Sequence, residues 1–203
     1  MKKFVTIIIA VTAFIILGVL ISRRQLLIIQ NDLMISNFFR NMVNSHLTVF
    51  FVVIAKIFNP ILVIIYSWGF FYILRKDNFY PFKSFCWTVI GGYVFMKLIK
   101  LIFHRSRPAD PLKTVAGYSF PSAHTFEIMI VALMLIYWLE HSQIRLYRLF
   151  ELLAVLTVFL VILSRLYLQA HYFSDILGGI LLAIAWFAIN LSVFPPNILR
   201  RDI

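Results

Sequence analysis

The chain reads as an all-α polytopic membrane protein, with six transmembrane helices and an amphipathic surface helix between the first and the second. Three observations predict it. Hydrophobic residues make up 62% of the 203 positions and charged ones only 13%, for a mean hydropathy of +0.93, far to the apolar side of soluble proteins. The apolar residues gather in six long runs, each near the roughly 20 residues that a bilayer crossing needs. The loops are short, so a chain of this length holds about six spans and little else. Residues 1–203 are therefore read as one domain.

The first run, Phe4–Ile21, follows Lys2 and Lys3. It has the basic head and apolar middle of a signal peptide. The run is long for one and no small-residue cleavage site follows, so it reads as a retained span. In the stretch 31–46, Leu33, Met34, Phe38, Met42 and Val43 recur at helical spacing, while Asp32, Asn37, Arg40, Asn41 and Asn44 take the other side. That pattern predicts an amphipathic helix lying on the membrane surface. The second span, Leu47–Leu74, is interrupted by Lys56 and by Asn59-Pro60. The third, Phe85–Phe103, carries Lys97 and Lys100 in its last turns. The fourth covers Ser122–Leu139, the fifth Leu149–Leu163, and the sixth Tyr172–Phe194, where Pro195-Pro196 stops it. Gly91-Gly92 and Gly178-Gly179 fall inside the third and sixth spans, where small residues let helices approach closely.

A formal net charge of +11 suggests nucleic acid in a soluble protein. Here the basic residues sit mostly at the ends of apolar runs, where they face anionic lipid head groups, and nucleic-acid binding is set aside. Cys86 is the single cysteine, so neither a disulfide framework nor a thiolate metal site can form within the chain. Nothing in the sequence calls for an obligate protein partner. With the amino terminus inside, Lys2, Lys3, Arg75, Lys76, Lys83, Arg145, Arg148, Arg200 and Arg201 are cytoplasmic. Arg23, Arg24, Arg40, Lys97, Lys100, Arg105, Arg107, Lys113 and Arg165 fall on the other side. The positive-inside bias emerges only when cations with another task are set aside.

Those cations belong to three polar clusters that the span count puts on one membrane face: "KLIFHRSRP" (Lys100–Pro108), "PSAH" (Pro121–His124) and "SRLYLQAHYFSD" (Ser164–Asp175). Permanent cations, a hydroxyl at a helix start, two histidines and a carboxylate are the inventory for a phosphate. Lys100, Arg107 and Arg165 suit nonbridging oxygens, arginine through its planar fork. Ser122 and the free amides at the head of the fourth span add donors where the helix dipole favours an anion. His171 and Asp175, four residues apart, share a helix face, so the carboxylate can fix the imidazole tautomer, and His171 becomes a nucleophile candidate.

The three clusters resemble the motifs of the type 2 phosphatidic acid phosphatase superfamily, K-x6-RP, PSGH and SR-x5-H-x3-D. Lys100 with Arg107-Pro108 gives the first, Pro121-Ser122-Ala123-His124 the second, and Ser164-Arg165, His171 and Asp175 the third. Ala123 is the departure, standing where the family has glycine. The resemblance implies a metal-independent reaction with no cofactor: His171 attacks phosphorus to form a phosphohistidine, His124 protonates the leaving oxygen, and water releases phosphate. It also implies that Asp175 supports His171, while Lys100, Arg107, Ser122, Ala123 and Arg165 bind the phosphate. The implied substrate is a phospholipid or isoprenoid lipid phosphate at the extracytoplasmic surface, first phosphatidylglycerophosphate and alternatively undecaprenyl diphosphate.

Other readings compete. Lys100, Arg105 and Arg107 could snorkel to the interface, and His171 with Asp175 could be a simple helical pair. A metal held by His104, His124, His171 and Asp175 would be ringed by like charge. An anion transporter or channel would leave that histidine–aspartate pair unexplained, and the expected inverted repeat is not seen. A soluble phosphate finds little loop from which to build a pocket. Lys56 and Glu127 are ionisable groups inside spans, where a partner or a polar interior is expected. Glu127, three residues after His124, is read as pairing with Lys97 or Lys56, and Lys97 and Glu127 are carried as accessory site residues.

Overall fold

A computed structural model of the chain describes residues 2–75, 82–113, 115–141 and 144–195. Lys76, Pro196, Arg200 and Arg201 lie outside the described residues. The described residues form helices joined by loops: α1 (Lys2–Ser22), α2 (Leu26–Arg40), α3 (Ser45–Ile57), α4 (Pro60–Arg75), α5 (Phe82–Phe103), α6 (Ala123–Glu140), α7 (Tyr147–Tyr167) and α8 (Phe173–Val193). Helices α1, α5, α6, α7 and α8 are each long and apolar enough to cross a bilayer, and a sixth crossing is counted if α2 and α3 form one bent span.

The expected second span is divided. Its residues form α3 and α4, and the break falls at Phe58-Asn59 because Pro60 has no amide to continue the ladder. Asn59 then opens α4, its Oδ1 accepting the Ile61 amide at 3.0 Å. The fifth span also runs longer than its apolar core, to Tyr167, and so carries Ser164 and Arg165 on helix rather than beyond it.

The surface helix begins earlier than its amphipathic pattern and ends at Arg40; α3 leaves it at a bend of 119°. Asn44 caps α3 by accepting the Leu47 amide. Leu33, Met34 and Phe38 are exposed, whereas Asp32 is 2% exposed and points into the protein. The polar side of α2 is therefore not simply a water-facing side. Ser36 adds a second anchor, its Oγ donating to Gln169 Oε1 while Gln169 Nε2 donates to the Ser36 carbonyl at 3.2 Å.

Helix α8 packs against α1 and α6, and α6 against α7. Phe14 and Leu17 of α1, Phe85 and Met96 of α5, Phe126 and Ile130 of α6 and Trp186 of α8 share one buried cluster. Outward residues such as Ile8, Ile15, Leu156 and Phe159 are exposed, which in hydrocarbon carries no hydration penalty. Inside α5 the residues Trp87–Gly91 form a π-turn. Trp186 Nε1 donates to the Thr88 carbonyl there at 3.1 Å, and the Trp186 ring stacks on Trp87 and Phe95 at 5.0 Å each.

The crossing of α6 and α8 is closest at Gly178-Gly179. A Cβ on Gly179 would lie 2.9 Å from the Ser122 carbonyl, and one on Gly178 would lie 2.3 Å from the Phe120 ring. The Ser122 amide donates to the Asp175 carbonyl at 3.0 Å. Bare backbone on α8 thus lets the starts of two spans touch, which brings the second and third polar clusters together.

Candidate active site

The site is built where α5, α6, α7 and α8 end or begin. Lys100, 6% exposed in the last turn of α5, donates to the Tyr118 and Ser119 carbonyls at 2.8 and 3.1 Å. Arg107, in the following loop, reaches the same segment: Nε donates to the Gly117 carbonyl at 2.9 Å and Nη2 to the Tyr118 carbonyl at 3.2 Å. Two cations from one motif therefore shape the loop that leads into the next.

Ser122 caps α6, its Oγ accepting from the Thr125 amide at 3.4 Å and from Thr125 Oγ1 at 3.0 Å. Ala123 is the first residue of α6 and is absent from the positive-φ positions, so alanine meets no backbone strain where the family motif has glycine. The next residue is His124, whose Nε2 lies 3.1 Å from Arg165 Nη1. Arg165 is 3% exposed, Nε donates to Ser164 Oγ at 3.1 Å, and Nη2 has no hydrogen-bond partner among the described residues.

His171 sits in the turn between α7 and α8. Its Nε2 lies 3.1 Å from Arg107 Nη1, which also donates to the Ala170 carbonyl at 2.6 Å. Its Nδ1 lies 3.4 Å from Asp175 Oδ2, a close ionic approach without hydrogen-bond geometry. Burial, then the Lys100, Arg107 and Arg165 charges, hold the His171 imidazole well below its usual range. Asp175 is fully buried; its Oδ2 accepts the Tyr172 amide at 2.9 Å and its Oδ1 accepts from Arg105 Nη1 at 2.6 Å. All three sequence clusters thus converge on one small volume.

A family model described as the PAP2 superfamily matches residues 81–198, more than half of the chain, and this stretch contains every one of these groups. The chain belongs to the PAP2 superfamily. Comparison with solved structures finds a transmembrane PAP2-type phosphatidylglycerolphosphate phosphatase from Bacillus subtilis. The identity is 21%, the match covers 93% of this chain and 95% of that one, and the TM-score is 0.75. At that identity the likeness concerns the fold. Comparison with curated proteins gave no match.

Within this PAP2 site the structure adds residues that the motifs do not name. Arg105 fills a variable position of the first motif, yet its guanidinium joins two acids, with Nη1 on Asp175 and Nη2 on Asp32 Oδ2, each at 2.6 Å. Ser174 completes the junction: its amide donates to Asp32 Oδ1 at 2.9 Å and its hydroxyl lies 2.6 Å from Asp32 Oδ2. The Tyr172 ring stands 4.5 Å from the Arg105 guanidinium. One signal was present in the sequence, an acid on the first turns of a surface helix in a chain with very few acids.

The pairing expected for Glu127 is not made. Both of its carboxyl oxygens are buried with no hydrogen-bond partner among the described residues. Lys97 is exposed, its Nζ 5.5 Å from the Tyr93 ring centroid. Lys56 is also exposed and lines a cavity beside His124 and Arg165. A lysine whose ammonium reaches head groups or water keeps its hydration, which the buried position of Glu127 would remove. Among the described residues no three His, Cys, Asp or Glu side chains gather into a group that could hold a metal ion.

Proposed function

We propose that the chain is a multi-pass membrane lipid phosphatase that works through a phosphohistidine on His171. Membership in the PAP2 superfamily supports a phosphatase. One observation carries the mechanism: the Nε2 atoms of both histidines face a guanidinium nitrogen at 3.1 Å. A guanidinium only donates, so His171 Nε2 presents a lone pair and its proton sits on Nδ1, beside Asp175. That is the tautomer of a nucleophile.

Lys100, Arg107 and Arg165, with Ser122 and the Ala123 amide at the head of α6, hold the nonbridging oxygens. The His171 Nε2–phosphorus bond forms as the bond to the lipid oxygen breaks, and His124 gives that oxygen its proton. When phosphate takes over the Arg165 guanidinium, His124 Nε2 is free to carry this proton. Water then attacks phosphorus, losing its proton to His124, and the nitrogen–phosphorus bond breaks to release phosphate. No metal takes part.

Phosphatidylglycerophosphate, giving phosphatidylglycerol, is the first substrate, and the likeness to the Bacillus subtilis phosphatidylglycerolphosphate phosphatase supports it. The reaction takes place at the extracytoplasmic surface of the cell membrane. The test is phosphate release by detergent-purified protein from phospholipid, isoprenoid and soluble phosphates, with a chelator and with His171→Ala in parallel. Release that resists the chelator and vanishes in the variant is expected. Release that survives the substitution would end the phosphohistidine reading, and preference for a soluble sugar phosphate would end the lipid assignment.

A further inference from the structure

Beside the proposed phosphate-binding cations lies an open cavity of about 460 Å³ whose walls include His124 and Arg165 together with Lys56, Asn59 and Lys113. Its lining contains no carboxylate. Lys56 comes from the end of α3, just before the break that divides α3 from α4, and Lys113 from the loop between the first two motifs. Two chain segments distant in sequence thus bring an ammonium each to a space already bounded by a buried arginine. Three cations, Lys56, Lys113 and Arg165, line one cavity with no acid among its walls.

A lipid with a single phosphate has its charge met by Lys100, Arg107 and Arg165, and nothing in such a molecule answers Lys56 and Lys113. Each ammonium gains most from an anion in a partly dehydrated setting. The remaining walls, Ala55, Leu62 and Val115 among them, are apolar and suit the start of a lipid tail. We infer that Lys56, Lys113 and Asn59 form a second anion subsite. It makes this protein selective for lipids carrying a second phosphate next to the one removed, joined directly or through a short polyol.

This rests on the phosphatase reading above, and one experiment separates the two. Initial rates are measured in a single detergent for phosphatidate, with one phosphate, and for phosphatidylglycerophosphate and an isoprenyl diphosphate, with two. The wild type is compared with Lys56→Gln, Lys113→Gln, the double variant and the matching arginine variants. Each glutamine variant is expected to lose about tenfold or more in kcat/KM on the two-phosphate lipids, as for a hydrogen bond to a charged group. Phosphatidate hydrolysis should stay within about twofold, and arginine should restore selectivity. Equal loss on all three lipids, or no loss on any, would overturn the subsite while leaving the phosphatase intact. A wild type that releases phosphate from none of them would overturn both.

Discussion

Arg105 Nη2 lies 2.6 Å from Asp32 Oδ2, and through this contact helix α2 is joined to Asp175, the carboxylate beside His171. The same guanidinium holds Asp175 Oδ1 at 2.6 Å, and Asp175 Oδ2 stands 3.4 Å from His171 Nδ1. Asp32, Arg105 and Asp175 therefore form one chain of ionic contacts that ends against the neutral His171 imidazole, mostly removed from water. Buried arrangements of this kind fix positions more than they add stability, and they fail badly when one member is taken away.

Asp32→Ala should accordingly lower stability by about 3 kcal/mol and reduce kcat more than it raises KM, because Arg105 and Ser174 lose their acceptor while the phosphate-binding groups remain. Thermal unfolding in detergent and substrate titration measure the two effects. An unchanged midpoint together with an unchanged kcat would mean that the junction is incidental.

For the chemistry itself, His171→Ala should reduce phosphate release by about 10³-fold or more, and Asp175→Asn by about 10²-fold or more through loss of the charge that orients the imidazole. Protein-bound phosphate stable to alkali and labile to acid should accumulate in a rapidly quenched wild type and be missing from His171→Ala. Bound phosphate persisting in that variant would place the nucleophile elsewhere.

The neutral His171 imidazole also sets a pH dependence. Its value in the folded protein is held well below 6.5, so the acid limb of kcat/KM belonging to it should lie well below 6.5. Arg107→Gln removes one cation and should move that limb upward, toward 6.5. The stability sign follows: the unfolded chain binds the proton more readily, so this contribution is present above pH 6.5 and lost as pH falls toward the folded-state value. Rate profiles between pH 4 and 8, about the span over which carboxyl and imidazole groups titrate, check both.

Gly179→Ala should destabilise by about 1–3 kcal/mol, since its Cβ would meet the Ser122 carbonyl at 2.9 Å and backbone yields less readily than a side chain. Gly178→Ala would press on the Phe120 ring at 2.3 Å. If neither change affects the unfolding midpoint or phosphate release, the close crossing of α6 and α8 does not hold the site together.

Orientation is checked at residue 113. In a Cys86→Ala background, Lys113→Cys should react with an impermeant thiol reagent applied from outside intact cells. Labelling only after the cytoplasmic side is opened would invert the topology.

Apolar runs made the long helices legible, because a span needs only length and hydrophobicity to declare itself. Gapped motifs made Lys100, Arg107, His124, Arg165, His171 and Asp175 legible, since their residue types are seldom placed at such spacing without a task. Asp32 and Arg105 were not legible. Their meeting depends on how α2 swings back over the loop before α6, and no local pattern encodes a contact between residues so far apart in sequence. The broken second span was half legible: Asn59-Pro60 was visible as an interruption, but whether a bilayer helix bends, breaks or closes over a proline is settled by packing. Glu127 shows the limit in the other direction, where charge complementarity on paper suggested lysine partners that the burial of one group and the exposure of the others keep apart.

Helix α2 turns Leu33, Met34 and Phe38 outward while Asp32 grips the site from within. Whatever packs against those three apolar side chains therefore bears on the same helix that supplies Asp32 to the site. Stripping lipid from the purified protein should lower phosphate release before the helical bundle itself begins to melt.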